Sequence, residues 1–249
     1  MENFTLPIAK PIVGAHRGAS QTAPENTLAA FRQAIALGAT ALELDVQLSA
    51  DGHVVVIHDA MLNRTTNGHG LVRDHTLEEL RALDAGSWFS PAFAHEQIPL
   101  FEEVLDLAKG TCLLHVELKH GPIVYPELEA RVIEQVKAHG MQDQALLMSF
   151  DHVAIARAKG LAPEIRACVT YNARLYDTVA YVAEVGADGV NQPWYHLTAE
   201  TVEACHAHNY LVHASLIDDV NQWELAQQLN VDLVDTNCIS EILAHTREK

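Results

Sequence analysis

The chain has no apolar run near the ~20 residues that a bilayer-spanning helix needs, and no low-complexity segment, internal repeat or domain linker breaks it. Basic residues are scarce. Sixteen Lys and Arg stand against 33 Asp and Glu, a formal charge of −17. That balance argues against nucleic acid or an anionic membrane as partner, and it disfavours anionic substrates at long range. A phosphate ester would therefore need local cations to overcome the field, and most of the acidic residues read as solubilising surface. Cysteine is sparse as well. Cys112, Cys168, Cys205 and Cys238 stand far apart with no metal-type pair spacing, so they read as free buried thiols. The first seven residues lack the basic start and long apolar stretch of a signal peptide, which makes a cytoplasmic location the expectation. No Walker loop, Rossmann fingerprint or His-Glu-x-x-His motif occurs. Ser20 lies in Gly18-Ala19-Ser20, but no Gly-x-Ser-x-Gly elbow exists to make it a nucleophile.

What is present is a regular alternation. The chain's 249 residues, 49% of them apolar, suit one domain over 1–249. Strand-like runs are read at 12–18, 41–48, 112–119, 145–150, 165–171, 189–193, 211–216 and 233–237, with an antiparallel return at 54–59 after the second. Helix-like runs fall between them. One starts at Asn26 or Thr27, carries Leu28, Phe31 and Ile35 on one face, and stops at Gly38. Others are read at 127–139, 174–185, 199–207 and 221–229. Eight βα units close into a (β/α)8 TIM barrel with helices outside. A doubly wound open sheet is the runner-up, because periodicity does not report closure. Residues 60–99 interrupt the rhythm as a small insertion after the second-strand hairpin. They hold a polar turn, a helix start with Thr76 and Glu79 in capping-box spacing, and the aromatic pair Trp88-Phe89. Such an excursion would sit at the C-terminal mouth, where barrel enzymes place their chemistry.

The chemistry concentrates between residues 15 and 59. Glu43 and Asp45 are two apart in a strand and so share a face. A two-residue turn centred on Asp51-Gly52 would set Asp45 directly opposite His58. Glu117 and Lys119 repeat the same-face spacing on the next strand. Ionisable groups on apolar strands need compensation, because burying them unpaired is costly. Three converging carboxylates, Glu43, Asp45 and Glu117, suit one hard divalent cation, Mg²⁺ or Ca²⁺ with Mn²⁺ as an option. The bland reading for Glu117 and Lys119 is an ion pair at the barrel rim. His16 alone would more often be structural, but His58 beside the carboxylates offers a second imidazole, and the two can act as acid and base. Arg17 supplies a bidentate fork for phosphate oxygens and Lys119 a point charge. His206 and His208, two apart on a helix, do not share a face.

These stretches resemble the glycerophosphodiester phosphodiesterase family: His16-Arg17-Gly18, Pro24-Glu25-Asn26-Thr27, Glu43-Leu44-Asp45-Val46, Asp51-Gly52, His58-Asp59, Arg64-Thr65-Thr66, residues 98–105, Glu117-Leu118-Lys119 and Ser149-Phe150-Asp151. The match is strong over residues 12–119, thinner to 151 and weak beyond. The resemblance implies a phosphodiesterase barrel, a divalent metal on Glu43, Asp45 and Glu117, acid/base catalysis by His16 and His58, and phosphate contacts from Arg17 and Lys119. It implies a small-molecule glycerophosphodiester as substrate, cleaved to sn-glycerol 3-phosphate and an alcohol. Barrels often pair, so a homodimer is compatible, although no interface signature shows. Two departures stand out. His213-Ala214-Ser215-Leu216 replaces the family's Trp-Thr-Val-Asn strand, and Thr236-Asn237-Cys238-Ile239 replaces its closing Thr-Asp-x-Pro. Both fall on late strands expected to wall the site, where loss of an indole would open room for a different alcohol. With two histidines and no protein nucleophile, the expected route is attack by the glycerol 2-hydroxyl through a cyclic phosphate. A lysophospholipase D-like enzyme acting on an acyl-bearing substrate is the alternative. A non-catalytic phosphoester-binding module is disfavoured because no catalytic position is lost.

Overall fold

The computed structural model describes residues 11–247, so the reading of the first seven residues lies outside the described part. Eight parallel strands close a barrel: β1 (Ile12–Ala15), β2 (Ala41–Leu48), β4 (Leu113–Leu118), β5 (Ala145–Ser149), β6 (Arg166–Thr170), β7 (Gly189–Pro193), β8 (Leu211–Ser215) and β9 (Leu233–Thr236). The order runs β1-β9-β8-β7-β6-β5-β4-β2, and a β1–β2 pairing shuts the ring. The closed (β/α)8 barrel is thus the fold, and the open-sheet alternative is excluded. β3 (Val54–Val56) lies outside the ring, antiparallel to the end of β2.

The helices start and stop where local chemistry dictates. In α1 (Leu28–Leu37), Thr27 caps the N-terminus by accepting from Ala30 N, and Gly38 ends the helix at φ 97°. That left-handed conformation carries no steric cost at glycine. The expected capping box is present, with Thr76 and Glu79 satisfying each other's backbone at the start of α2 (Leu77–Arg81). α4 (Leu128–Ala138), α6 (Thr178–Val185), α7 (Ala199–Ala207) and α8 (Val220–Gln228) fall in the runs read from sequence. Three helices had no sequence reading: α3 (Phe101–Ala108), α5 (His152–Leu161) and α9 (Ile239–Arg247). The signal for α5 was Asp151, whose carboxylate accepts from Val153 N and Ala154 N; the short apolar stripe behind it is blurred by Lys159 and Gly160.

The hairpin differs from expectation by one residue. The turn is a three-residue loop: Gly52 N donates to Ser49 O, Gly52 stands at φ 83°, and Ser49 N donates to His53 O. This is a type I turn followed by a left-handed residue. The register becomes Val46↔Val56, Gln47↔Val55 and Leu48↔Val54, so Ile57, not His58, lies opposite Asp45 and donates its N–H to Asp45 O at 3.0 Å. A one-residue slip turns side chains to the other face. Here it faces Val55 and Ile57 toward residues 60–99, where they form a satellite apolar cluster with Leu62, Val72, Leu80, Ala85 and Ile98.

Candidate active site

Period-two alternation stacks the barrel interior in layers. Ile12, Leu146, Leu211 and Leu233 sit in an apolar layer toward the strand starts. Polar groups follow above them, and the parallel register of β2 and β4 sets Asp45 beside Glu117 and Glu43 beside His115. Glu43, Asp45 and Glu117 each present a carboxylate oxygen within 4.8 Å of the others, a group able to hold a metal ion. Burial, with Asp45 and Asp235 adding repulsion, pushes the Glu43 carboxyl well above its usual range. Glu117 is raised for the same first reason, with Asp45 adding to it. Asp45 is pushed up by burial as well, but Lys119, Arg17, His58 and a hydrogen bond from Asn26 outweigh that and leave it low. Asp45 Oδ1 is buried without a hydrogen-bond partner, and Lys119 Nζ stands off at 3.6 Å. An acceptor oxygen orphaned between two further carboxylates fits a cation.

Both histidines open on the same pocket as Glu43 and Glu117, while Asp45 is buried beside them. His16, Arg17, Glu43, His58, Glu117 and Lys119 line one cavity of about 210 Å³ at the C-terminal mouth, together with Met148, Phe150, Ser215, Leu216 and Asp235. His16 lies just past β1, where the chain turns through Arg17 (φ 58°) and Gly18 (φ 81°). Gly18 is required there, since a Cβ would run into Ala30 at 2.7 Å. The turn lets Arg17 N donate to Glu43 Oε2 at 2.9 Å and brings Arg17 Nε to 3.4 Å from Asp45 Oδ2. Lys119 Nζ pairs with Glu117 Oε1 at 2.7 Å, so the rim ion pair weighed from sequence is formed, and it is formed inside the pocket.

His58 reaches the pocket by a route that the hairpin did not predict. Past β3 the chain leaves the ladder, and the buried Gln47 side chain holds it there. Gln47 Nε2 lies 2.9, 3.0 and 2.8 Å from the carbonyls of Ile57, His58 and Asp59, and Gln47 Oε1 accepts from Tyr125 Oη at 2.9 Å. The carboxylate of Asp59 meets His58 Nδ1 at 2.6 Å and is gripped in turn by Arg64 Nε at 2.7 Å and Nη2 at 3.0 Å. Arg64 also binds Glu25, which binds Arg17 Nη1 at 2.8 Å. These bonds from Arg64 hold Asp59 far below the ordinary carboxylate range. Burial, with Lys119 and Arg17 nearby, holds His58 below the ordinary imidazole value. On the other side, His16 Nδ1 meets Asn237 Oδ1 at 2.7 Å. Asn237 Nδ2 donates to Asp218 Oδ2 at 2.7 Å, which leaves the amide oxygen as the acceptor for His16. Asn26 Nδ2 donates to Asp45 Oδ2 at 2.7 Å.

Sequence reasoning did not single out Gln47, Asp218 or Arg64 as separate actors. Gln47 and Asp218 work across 10 to 19 residues of chain, and Arg64, 39 residues from Glu25, joins it to Asp59, links that spacing does not reveal. The late stretch 213–216 is divided: Ser215 and Leu216 line the pocket, whereas His213 does not wall it and is fully buried inside the barrel against Asp235. Trp88 and Phe89 are not among the pocket residues either.

The chain's likenesses agree with this geometry. A profile of the Glycerophosphoryl diester phosphodiesterase family matches residues 16–241. A glycerophosphodiester phosphodiesterase of Caldanaerobacter subterraneus subsp. tengcongensis is 37% identical over 92% of this chain and 94% of its own. An Oleispira antarctica phosphodiesterase, solved with the product sn-glycerol-3-phosphate, superimposes with a TM-score of 0.89 at 33% identity, covering 95% of this chain and 97% of that one. A glycerophosphodiester phosphodiesterase from Agrobacterium tumefaciens gives 0.84 at 29% identity over 94% and 99% of the two chains. With a barrel, an acidic cluster and two histidines on one pocket, and with a family match spanning most of its length, the chain belongs to the glycerophosphoryl diester phosphodiesterase family and is an enzyme of that class.

Proposed function

We propose that the protein hydrolyses small glycerophosphodiesters to sn-glycerol 3-phosphate and an alcohol, with His16 and His58 as acid/base catalysts and a divalent cation on Glu43, Asp45 and Glu117. The observation that carries the reading is that imidazoles from two separate segments line one pocket with Glu43 and Glu117, whose carboxylates converge with that of the buried Asp45. The oxygen-only set suits Mg²⁺ or Ca²⁺, with Mn²⁺ also served. When bound, the ion supplies Lewis-acid charge at the phosphate and makes the glycerol hydroxyl easier to deprotonate.

The chain's own groups do the rest. Arg17 presents a fork of N–H donors to the phosphate, and Lys119 adds a second positive charge against the acidic field. The partners on Nδ1 of each histidine, Asn237 and Asp59, leave each Nε2 for the substrate. One Nε2 takes the proton of the glycerol 2-hydroxyl as it attacks phosphorus, and the other protonates the departing alcohol. Water then opens the cyclic glycerol phosphate with the two roles exchanged. Free cysteines suit a reducing compartment, in keeping with a cytoplasmic location.

An acyl-bearing substrate is the second reading. It is favoured by Phe150 and Leu216, which line the mouth yet are 54% and 42% exposed. Release of glycerol 3-phosphate from a panel of glycerophosphodiesters, and of acyl-glycerol 3-phosphate from lysophospholipids, with and without chelator, tests both readings. Turnover that survives complete chelation would sink the metal assignment, and turnover confined to lysophospholipids would replace the first reading by the second. A substrate lacking the 2-hydroxyl tests the cyclic route, which fails if that substrate turns over normally.

A further inference from the structure

Below the catalytic carboxylates the barrel holds a second cluster of titratable groups that the reaction does not use. We propose that His115, His213 and Asp235 form an interior metal site for a borderline divalent transition ion of the Zn²⁺ class. His115 comes from β4, His213 from β8 and Asp235 from β9; β4 and β8 face each other across the ring. His115 and His213 are 0% exposed and Asp235 is 2% exposed. One ligand atom from each lies within 4.8 Å of the other two.

The geometry is that of a carboxylate fork between two imidazoles. His115 Nδ1 lies 2.8 Å from Asp235 Oδ1, and His213 Nε2 lies 2.8 Å from Asp235 Oδ2. At that distance the second contact is an ion-pair approach, and neither ring nitrogen of His213 nor Nε2 of His115 has an aligned hydrogen-bond partner. Buried imidazole nitrogens left without an aligned partner beside a carboxylate are donor atoms available to an ion. Gly14, the β9-paired residue of β1, leaves the space. A Cβ there would collide with Asp235 Oδ1 and press on His115 Nδ1.

Donor chemistry separates this cluster from the one above it. Two nitrogens and a carboxylate suit zinc and its first-row neighbours, whereas three carboxylates suit Mg²⁺ or Ca²⁺. Access exists from both ends. Asp235 borders the catalytic pocket, and His115 borders a cavity of about 150 Å³ at the opposite mouth. An ion there would tie facing walls of the barrel together, and it stands independently of the reaction proposed above.

The test uses the full chain stripped with chelator and then titrated with Co²⁺ while excess Mg²⁺ fills the outer site. The expected result is a single equivalent of Co²⁺ giving the strong visible bands of nitrogen ligation. These should persist in an H16N/H58N double variant and vanish in H213Q. Zn²⁺ should raise the Tm of the wild type and of the double variant but not that of H213Q. H115Q replaces H213Q if the latter does not fold. Absence of nitrogen-ligated Co²⁺ in the wild type, or bands lost in H16N/H58N and kept in H213Q, overturns the site and leaves a plain His–Asp–His cluster.

Discussion

Replacing Asp59 by Asn isolates what holds His58 in place. The carboxylate meets His58 Nδ1 at 2.6 Å while Arg64 grips it with bonds of 2.7 and 3.0 Å. Asn has one oxygen for these partners. If that oxygen stays with Arg64, the amide N–H₂ turns to His58 Nδ1, and the imidazole proton must move to Nε2. A hydrogen bond to a charged group contributes about 1.5–3 kcal/mol. At about 1.36 kcal/mol per tenfold in rate, D59N should lower kcat by roughly 10- to 150-fold. Asp59 is not among the residues lining the pocket, so KM should move little. Steady-state kinetics on a glycerophosphodiester, with glycerol 3-phosphate as the product measured, reads both quantities. The decisive comparison is the double variant. If Asp59 acts through His58, adding D59N to H58A should cost almost nothing more, because residues acting as a unit are not additive. Multiplying losses in H58A/D59N, or a kcat loss in D59N below about threefold against the roughly tenfold lower bound above, would refute the reasoning.

Other outcomes follow from the same geometry. H16A and H58A should each lose about 10²-fold or more in kcat/KM, as general acid–base groups do; near-normal turnover of either removes that residue from its role. With a p-nitrophenol leaving group, which needs no protonation, the variant of the acid should recover most of its rate and the variant of the base should not, which assigns the pair. Q47L should lower kcat while leaving metal binding by calorimetry intact, since Gln47 fixes the carbonyls of residues 57–59 and touches no carboxylate of the metal cluster. G52A should cost about 1 kcal/mol, a Tm drop of ~2–4 °C for a chain of this size, because φ is 83° there while the nearest atoms belong to the movable Arg131 guanidinium. Asp59 is depressed by Arg64, so its stabilisation is complete above the unfolded carboxylate value of 3.8 and is lost as pH falls toward the folded value. R64A should flatten that acid limb in urea unfolding measured against pH, and an unchanged slope would discount the pair.

The local sequence determined a good deal by itself. Alternation of apolar runs with capped helices gave eight βα units, and period two placed Glu43 with Asp45 on one face, because both are properties of a few consecutive residues. Thr27, Thr76 and Gly38 marked helix ends through bonds spanning three or four residues. The hairpin shows where local reading stops. Asp51-Gly52 is compatible with a two-residue or a three-residue loop, and the choice was made by Val55 and Ile57 packing under residues 60–99, which no turn rule contains. Tertiary structure alone decided barrel closure, the meeting of Asp45 with Glu117, the Gln47 clamp on His58, and the turning of His213 inward to Asp235. Each of these is set by which strands become neighbours around a ring, and that depends on the packing of the whole chain and not on spacing along it.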